Sequence, residues 1–432
     1  MRVAVVETGS GAWVLAACLA DLGHAVTLLA RDPSLAPALA AGTLTCSEPG
    51  VADLMVMHHM ASRLEVSDRA PPERTPILTP LWPGEPDLAD LLPRLRPWAG
   101  PGTDWVLVGS VPVGGADWLA MQLEREVHAC APVGVGTERE SPVVCCHPVF
   151  WRTGQALHDA LHPDRIVVGA RSDRAIALMR TLLAPLLPPE RPEGEVAFVA
   201  TDPPTAELLG QAVTAYLATK RSFTNELSSL AERIGADPEA LSLGLGLDPR
   251  IGPDGLAAGL GWAEPALAQG VSTLIELAGE YDQPVPLLQA AWTVNHGRPR
   301  WLMAKLQREL KILKGRAIAL WGLTDPQGHE AIAPALAIAR LLSRAGALVR
   351  VFDPVDPVPE GPDPRIIPCP SAPEAAREVD AIVLLAPWPE FADLDLAALR
   401  ALVRTPLLFD SCQGLCPETV TTAGFRYVGL GR

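Results

Sequence analysis

Residues 2–6 (RVAVV) form an apolar run with the length and composition of a buried strand. A glycine-containing turn follows, then a helical apolar pattern over 12–22 and a second strand at 24–30. This strand–turn–helix–strand order predicts the opening of a dinucleotide-binding fold. Further strand-like runs at 76–79, 105–109, 143–145 and 165–169 are separated by helical or proline-rich segments, which predicts a largely parallel sheet. From 205 to about 234 apolar residues recur at helical spacing. The predicted helix is much longer than average, of the kind that joins domains or forms a dimer interface. After another helical run at 301–313, a second α/β unit is predicted. It comprises a strand at 316–323, a helix at 334–345, a strand at 347–352 that ends in Asp353-Pro354, and later strands at 381–385 and 406–409. The proline-rich stretches 186–192 and 354–364 read as surface loops.

The predicted fold class is therefore α/β, with two Rossmann-like parallel-sheet domains joined by a long central helix. The expected division is an N-terminal domain over 1–200, a helical dimerisation region over 201–300 and a C-terminal domain over 301–432. A chain of 432 residues is long enough for two or three such domains. No apolar run approaches the ~20 residues that a membrane helix needs. The N-terminus begins directly as a strand without a basic n-region, so it does not read as a signal peptide, and a cytoplasmic location is expected. The net charge of −15 argues against nonspecific binding to nucleic acid or anionic membrane. Eight cysteines (Cys18, Cys46, Cys130, Cys145, Cys146, Cys369, Cys412 and Cys416) form no CxxC pair and lack histidines at zinc-site spacing, so reduced thiols are expected and no metal.

Short motifs recur along nearly the whole chain. They include Cys18-Leu19-Ala20 with Gly23-His24, Glu48-Pro49-Gly50 and Val111-Pro112-Val113-Gly114. They continue with Leu161-His162-Pro163-Asp164-Arg165, Asp248-Pro249-Arg250-Ile251-Gly252, Trp388-Pro389-Glu390-Phe391 and Gly424-Phe425-Arg426-Tyr427. In order and spacing this set resembles the UDP-glucose/GDP-mannose dehydrogenase family. The resemblance implies an N-terminal NAD domain, a central dimerising helix and a C-terminal domain that helps to hold a nucleotide sugar. It also implies oxidation of a sugar C6 alcohol to a carboxylate in two hydride transfers, through a thioester on cysteine.

The positions that would carry this chemistry depart from the family pattern. The G-x-G-x-x-G turn matches Glu7-Thr8-Gly9-Ser10-Gly11-Ala12, so Gly9, Gly11 and Ala12 are the candidate cofactor residues, with Ser110. Glu7 takes the place of the first glycine. A carboxylate about 4 Å from a pyrophosphate costs roughly 4 kcal/mol at an effective dielectric of 20, about a thousandfold in affinity. The alternative is that Glu7 points into solvent. The acid that should close the second strand is Ala30, followed by Arg31 and Asp32. Glu7 and Ala30 both oppose the NAD site that the resemblance implies.

The family's N-P-E-F-L-x-E-G segment matches residues 147–154, which places Val149 and Thr153 at the two glutamates and His147 at the asparagine. Without a carboxylate there, no general base remains to activate water. The lysine–asparagine pair of the long helix becomes Gly210 and Thr214. Counting on from Gly259-Leu260-Gly261, the nucleophilic cysteine becomes Ala266 and the following Lys-Asp pair becomes Gln269-Gly270. The linker motif is replaced by residues 324–330, and the late D-G-R-N motif by Asp410-Ser411-Cys412-Gln413. Cys412 is a conceivable replacement nucleophile; an inert buried thiol is the other reading.

Phe150, Arg250, Gly259, Gly261 and Trp262 keep the family's substrate-binding character, and glycines and aromatics of this kind also serve purely structural roles. Three readings follow. The first is a catalytically inactive member that binds a UDP- or GDP-sugar, or that pairs as a homodimer or with an active relative through the central helix. The second is an NAD(P)-dependent nucleotide-sugar dehydrogenase with a reassigned active site. The third is a structural oligomer with both nucleotide sites empty.

Overall fold

The computed structural model describes residues 1–30, 32–69, 74–83, 87–98, 102–129, 142–187, 196–262, 264–324, 326, 333–355 and 363–430. Two compact units divide within the helix Pro203–Ile234, the first comprising Met1–Val213 and the second Thr214–Arg432.

The first unit is built on eight strands: β1 (Arg2–Val6), β2 (Ala25–Leu29), β3 (Leu64–Ser67), β4 (Ile77–Leu81), β5 (Trp105–Gly109), β6 (Val144–His147), β7 (Arg165–Ala170) and β8 (Ala197–Thr201). Their order is β3-β2-β1-β4-β5-β6-β7-β8, and every pairing is parallel except β6 with β7. Alternation along β1 explains the two-sided core. Val3 and Val5 pack into one face of the sheet, Ala4 and Val6 into the other. Gly169 on β7 is required by close approach: a Cβ there would lie 2.6 Å from Ala206 Cβ and 2.8 Å from Pro203 Cα, at the start of the long helix.

The second unit carries six strands: β9 (Ala317–Trp321), β10 (Leu348–Phe352), β11 (Ile366–Pro368), β12 (Ala381–Leu384), β13 (Leu407–Asp410) and β14 (Arg426–Gly429). All pairings are parallel in the order β11-β10-β9-β12-β13-β14, the arrangement of a doubly wound nucleotide-binding sheet. Here too the central strand alternates, with Ile318 and Leu320 toward one core and Ala317, Ala319 and Trp321 toward the other. A smaller apolar cluster of Ala215, Ala218, Trp262, Leu267 and Val271 joins the helices of this unit.

The two-sheet α/β reading holds, and each predicted strand has its counterpart within a few residues. The predicted run 301–313 is the end of a longer helix, Pro286–Leu310, which stops where Lys311 turns to φ +64°. Arg31, Cys130 and most of the 186–192, 324–330 and 354–364 segments lie outside the described residues. Among the described residues no helix is long and apolar enough to cross a membrane.

Candidate functional site

In an open parallel sheet, ligands bind beyond the carboxyl ends of the strands, where the strand order reverses. In the first unit that point falls between β1 and β4. The turn after β1 leads through Gly9 into the helix Ser10–Asp21, in which Gly11 and Ala12 are buried. Glu7 does not point freely into solvent. Its half-buried carboxylate lies 3.9 Å from the Arg94 guanidinium, which also donates a 2.7 Å hydrogen bond to the Glu7 carbonyl. Burial pushes the Glu7 carboxyl above the usual range, and Arg94 works against that shift. Thr8 Oγ1 is buried with no hydrogen-bond partner among the described residues, so this donor of the turn is shielded. Ala30 is buried at the end of β2, and the Asp32 carboxylate beyond it accepts from the Ser34 N–H and hydroxyl. Across the crevice, the Trp82 ring lies against Gly11: a Cβ on Gly11 would sit 3.0–3.3 Å from three indole carbons. Ser110 follows β5, and its N–H donates to the Leu81 carbonyl at 2.8 Å.

These residues do not fit a dinucleotide in the usual pose. The turn presents a carboxylate, a shielded hydroxyl and an indole where a pyrophosphate needs open backbone N–H groups.

The start of the long helix is tightly packed and hydrogen-bonded. Glu207 is fully buried, and its carboxylate accepts from the Gly114 N–H at 2.6 Å and the Ala116 N–H at 2.8 Å. One turn on, Gly210 is pressed against Pro148, with a Cβ there only 3.0 Å from Pro148 Cβ. Glycine is unfavourable inside a helix, and the close contact with Pro148 accounts for it here. The neighbouring loop is arranged structurally. Val149 packs against the sheet core, Thr153 is exposed, and the buried Glu48 carboxylate accepts from the Gly154 and Ala156 N–H groups. The Arg165 guanidinium covers the Phe150 ring at 3.9 Å. His147 Nδ1–H donates to the Val167 carbonyl at 2.7 Å, and burial lowers its pKa.

In the second unit Thr214 lies on the long helix, and the loop 259–262 is wired into the interior. Asn225 Oδ1 accepts from the Gly259 N–H, and Arg298 donates to the Gly259 carbonyl. Asn295 accepts from the Trp262 N–H at 2.8 Å and donates to its carbonyl at 3.0 Å, while the Trp262 indole donates to Ser222. Gly261 has φ +112°, and a Cβ there would collide with Asn295 Oδ1. Only glycine fits between the turn and this amide. Ala266 occupies the first turn of the helix Pro265–Glu280 and is half-buried, whereas Gly270 is fully buried one turn later. Arg250 is exposed and forms a two-point pair with Asp248.

Burial disfavours the thiolate at the described cysteines whose pKa is perturbed. Burial pushes Cys18 and Cys145 up to about 12 and raises Cys46, Cys146 and Cys369. Cys412 is raised well above its ordinary value by burial and by the neighbouring Asp410. The Asp410 carboxylate is itself engaged by the N–H groups of Cys412, Gly414 and Leu415. Sequence reasoning missed Arg94, Trp82, Glu207 and Asn295. Of these only Glu207, three residues before Gly210 on the predicted long helix, lay near a position already singled out.

Two doubly wound units, each with its crevice at the carboxyl ends of a parallel sheet, define a nucleotide-binding class of protein. Residues 204–297 match the central domain of the UDP-glucose/GDP-mannose dehydrogenase family, and 319–416 match its UDP binding domain. The chain is 31% identical to a UDP-glucose 6-dehydrogenase of Rhizobium meliloti, covering 100% of both chains. It is 28% identical to one of Bacillus subtilis, over 100% of this chain and 98% of the relative. Its fold resembles that of a UDP-glucose dehydrogenase from Pyrobaculum islandicum, with a TM-score of 0.81 at 25% identity over 100% of this chain and 97% of that one. The chain belongs to the UDP-glucose/GDP-mannose dehydrogenase family.

Three outcomes follow from this geometry. Replacing Asn295→Ala leaves both backbone groups of Trp262 without their partner, and is expected to cost roughly 2–4 kcal/mol in chemical denaturation; a loss within error would show the loop to be held otherwise. For Gly210→Ala, overpacking against Pro148 of ~1–3 kcal/mol exceeds the helix-propensity gain of up to ~1 kcal/mol, so a net loss on the order of 1 kcal/mol is expected, read from the denaturation midpoint. His147 has a folded pKa below its ordinary value, so the unfolded chain takes up the proton first as pH falls. Wild type should therefore lose stability relative to His147→Asn between about pH 7.5 and 5.5, with parallel profiles as the contrary result.

Proposed function

We infer that this chain is a non-catalytic member of its family, retained to hold a nucleotide sugar or to pair with a second chain through the central helix. The observation that carries this reading is the contact at Gly210. The position matching the catalytic lysine has lost its side chain, and the backbone there abuts Pro148 with no room for a Cβ at ordinary distance. Val149, Thr153, Thr214, Ala266 and Gly270 add to it, because none offers a thiol, an amine or a carboxylate. Without a nucleophile or general base, neither the thioester nor its hydrolysis has a group to carry it.

Pairing is supported by the second half of the long helix. Tyr216, Phe223 and Leu230 recur every seven residues and are 68%, 52% and 53% exposed, with Ile234 at 71%. An apolar stripe at that spacing suits a helix–helix seam. Nucleotide-sugar binding is supported by the match to the family's UDP binding domain. The relatives named as UDP-glucose 6-dehydrogenases suggest NAD as the ancestral cofactor. We retain the three-part functional division at about 200 and 300 as part of this reading.

Purified protein is expected to give no increase in NADH or NADPH absorbance with UDP-glucose or GDP-mannose, and Ala266→Cys alone is not expected to restore it. Steady reduced-cofactor production by the wild type would sink the reading in favour of a dehydrogenase with a reassigned site. In the same preparation, a rise in unfolding temperature with UDP-glucose supports a sugar-holding role, since a ligand that binds only the native state stabilises it.

A further inference from the structure

Two tryptophans meet at the carboxyl ends of the first sheet. Trp82 directly follows Leu81, the last residue of β4, and Trp151 lies just beyond β6. Their ring centroids are 5.3 Å apart with the planes tilted by 38°. The other side of Trp82 meets Gly11, where indole carbons lie 3.0, 3.1 and 3.3 Å from the place a Cβ would take. Gly11 sits in the first turn of the helix Ser10–Asp21, whose N-terminal N–H groups are where a pyrophosphate would be received. Trp151 in turn packs against the buried core of the sheet, so Trp82 is backed by a fixed wall and not by solvent.

We propose that Trp82 closes the dinucleotide crevice of the first unit, its indole occupying the space over Gly11 through which the pyrophosphate of NAD or NADP would pass. The closure is built from the chain's own side chains: Trp151 holds the indole in place, and the Glu7–Arg94 pair fills the adjoining corner at the end of β1. The indole is large and rigid, and a phosphate cannot share its position. A small side chain at 82 would reopen the approach to the first helical turn.

This inference rests on reading residues 7–12 as the cofactor turn, and it concerns binding, not turnover. Isothermal titration of NAD and of NADP into the full-length wild type is expected to show no saturable heat up to millimolar ligand. Trp82→Ala, and Trp82→Leu as a variant that preserves more of the packing, are each expected to bind at least about tenfold more tightly than wild type. Trp82→Phe, which retains a ring over Gly11, should remain closed. Micromolar binding by the wild type would overturn the closure, as would a variant with native circular dichroism and no gain in affinity. Either result without reduced-cofactor production overturns the closure alone and leaves the non-catalytic reading standing.

Discussion

The buried carboxylate of Glu207 sets the geometry on which much of the first unit depends. It receives two N–H groups at the start of the helix Gly115–Ala129, donors that every helix end leaves unpaired. The helix dipole favours a negative charge at that place. Burial is nonetheless the larger effect and raises the pKa of the group, with the two N–H groups opposing it. The side chain belongs to the long helix, so this pair of bonds pins that helix to the segment following β5. The close contacts at Gly169 and Gly210 accompany it. The close packing at Gly210 thus belongs to an arrangement anchored by Glu207.

The second unit repeats the logic with a polar network. Asn225 of the long helix, with Asn295 and Arg298 of the helix Pro286–Leu310, binds the backbone of the 259–262 loop, and Ser222 accepts from the Trp262 indole. Nearby the buried Lys305 ammonium lies 2.6 Å from Glu232 and donates to the Gly429 carbonyl. Removing one partner of such a buried pair costs ~3–5 kcal/mol, because the remaining charge is left uncompensated. Reactive groups have no comparable hold on the fold, and a catalytic thiol or amine can be exchanged for alanine or glycine with little loss of stability. On the non-catalytic reading proposed above, this asymmetry lets a chain keep its internal wiring while residues at the matching positions differ.

The interior of both sheets was legible in the sequence, and their edges were not. The strands that the hydrophobic pattern missed are β3, β8, β11 and β14, which are the four edge strands. An edge strand is covered less completely than an inner one, and these four carry mixed burial where β5, β9 and β12 are buried throughout. The continuous apolar run that identifies an inner strand is therefore absent from them. At the candidate site, the family resemblance assigns Ala266 and Val149 to chemical positions by residue order alone. The Glu7–Arg94 and Gly11–Trp82 contacts could not be read that way, since each joins residues more than 70 positions apart through tertiary packing alone.

Those two contacts also change which force governs the first crevice. Taken as an isolated charge, Glu7 would repel a pyrophosphate by roughly 4 kcal/mol. With Arg94 beside it the pair is close to neutral when ionised, and much of that repulsion is cancelled. What remains is steric and apolar. An aromatic pair contributes ~0.5–1.5 kcal/mol beyond burial, and returning a half-buried indole to water costs ~3 kcal/mol at about 25 cal/mol per Å². Displacing Trp82 therefore costs about 4 kcal/mol, enough to turn a micromolar affinity into a millimolar one. A neutralised carboxylate and a well-packed indole thus oppose the cofactor chiefly by occupying its place, and only weakly by repelling its charge.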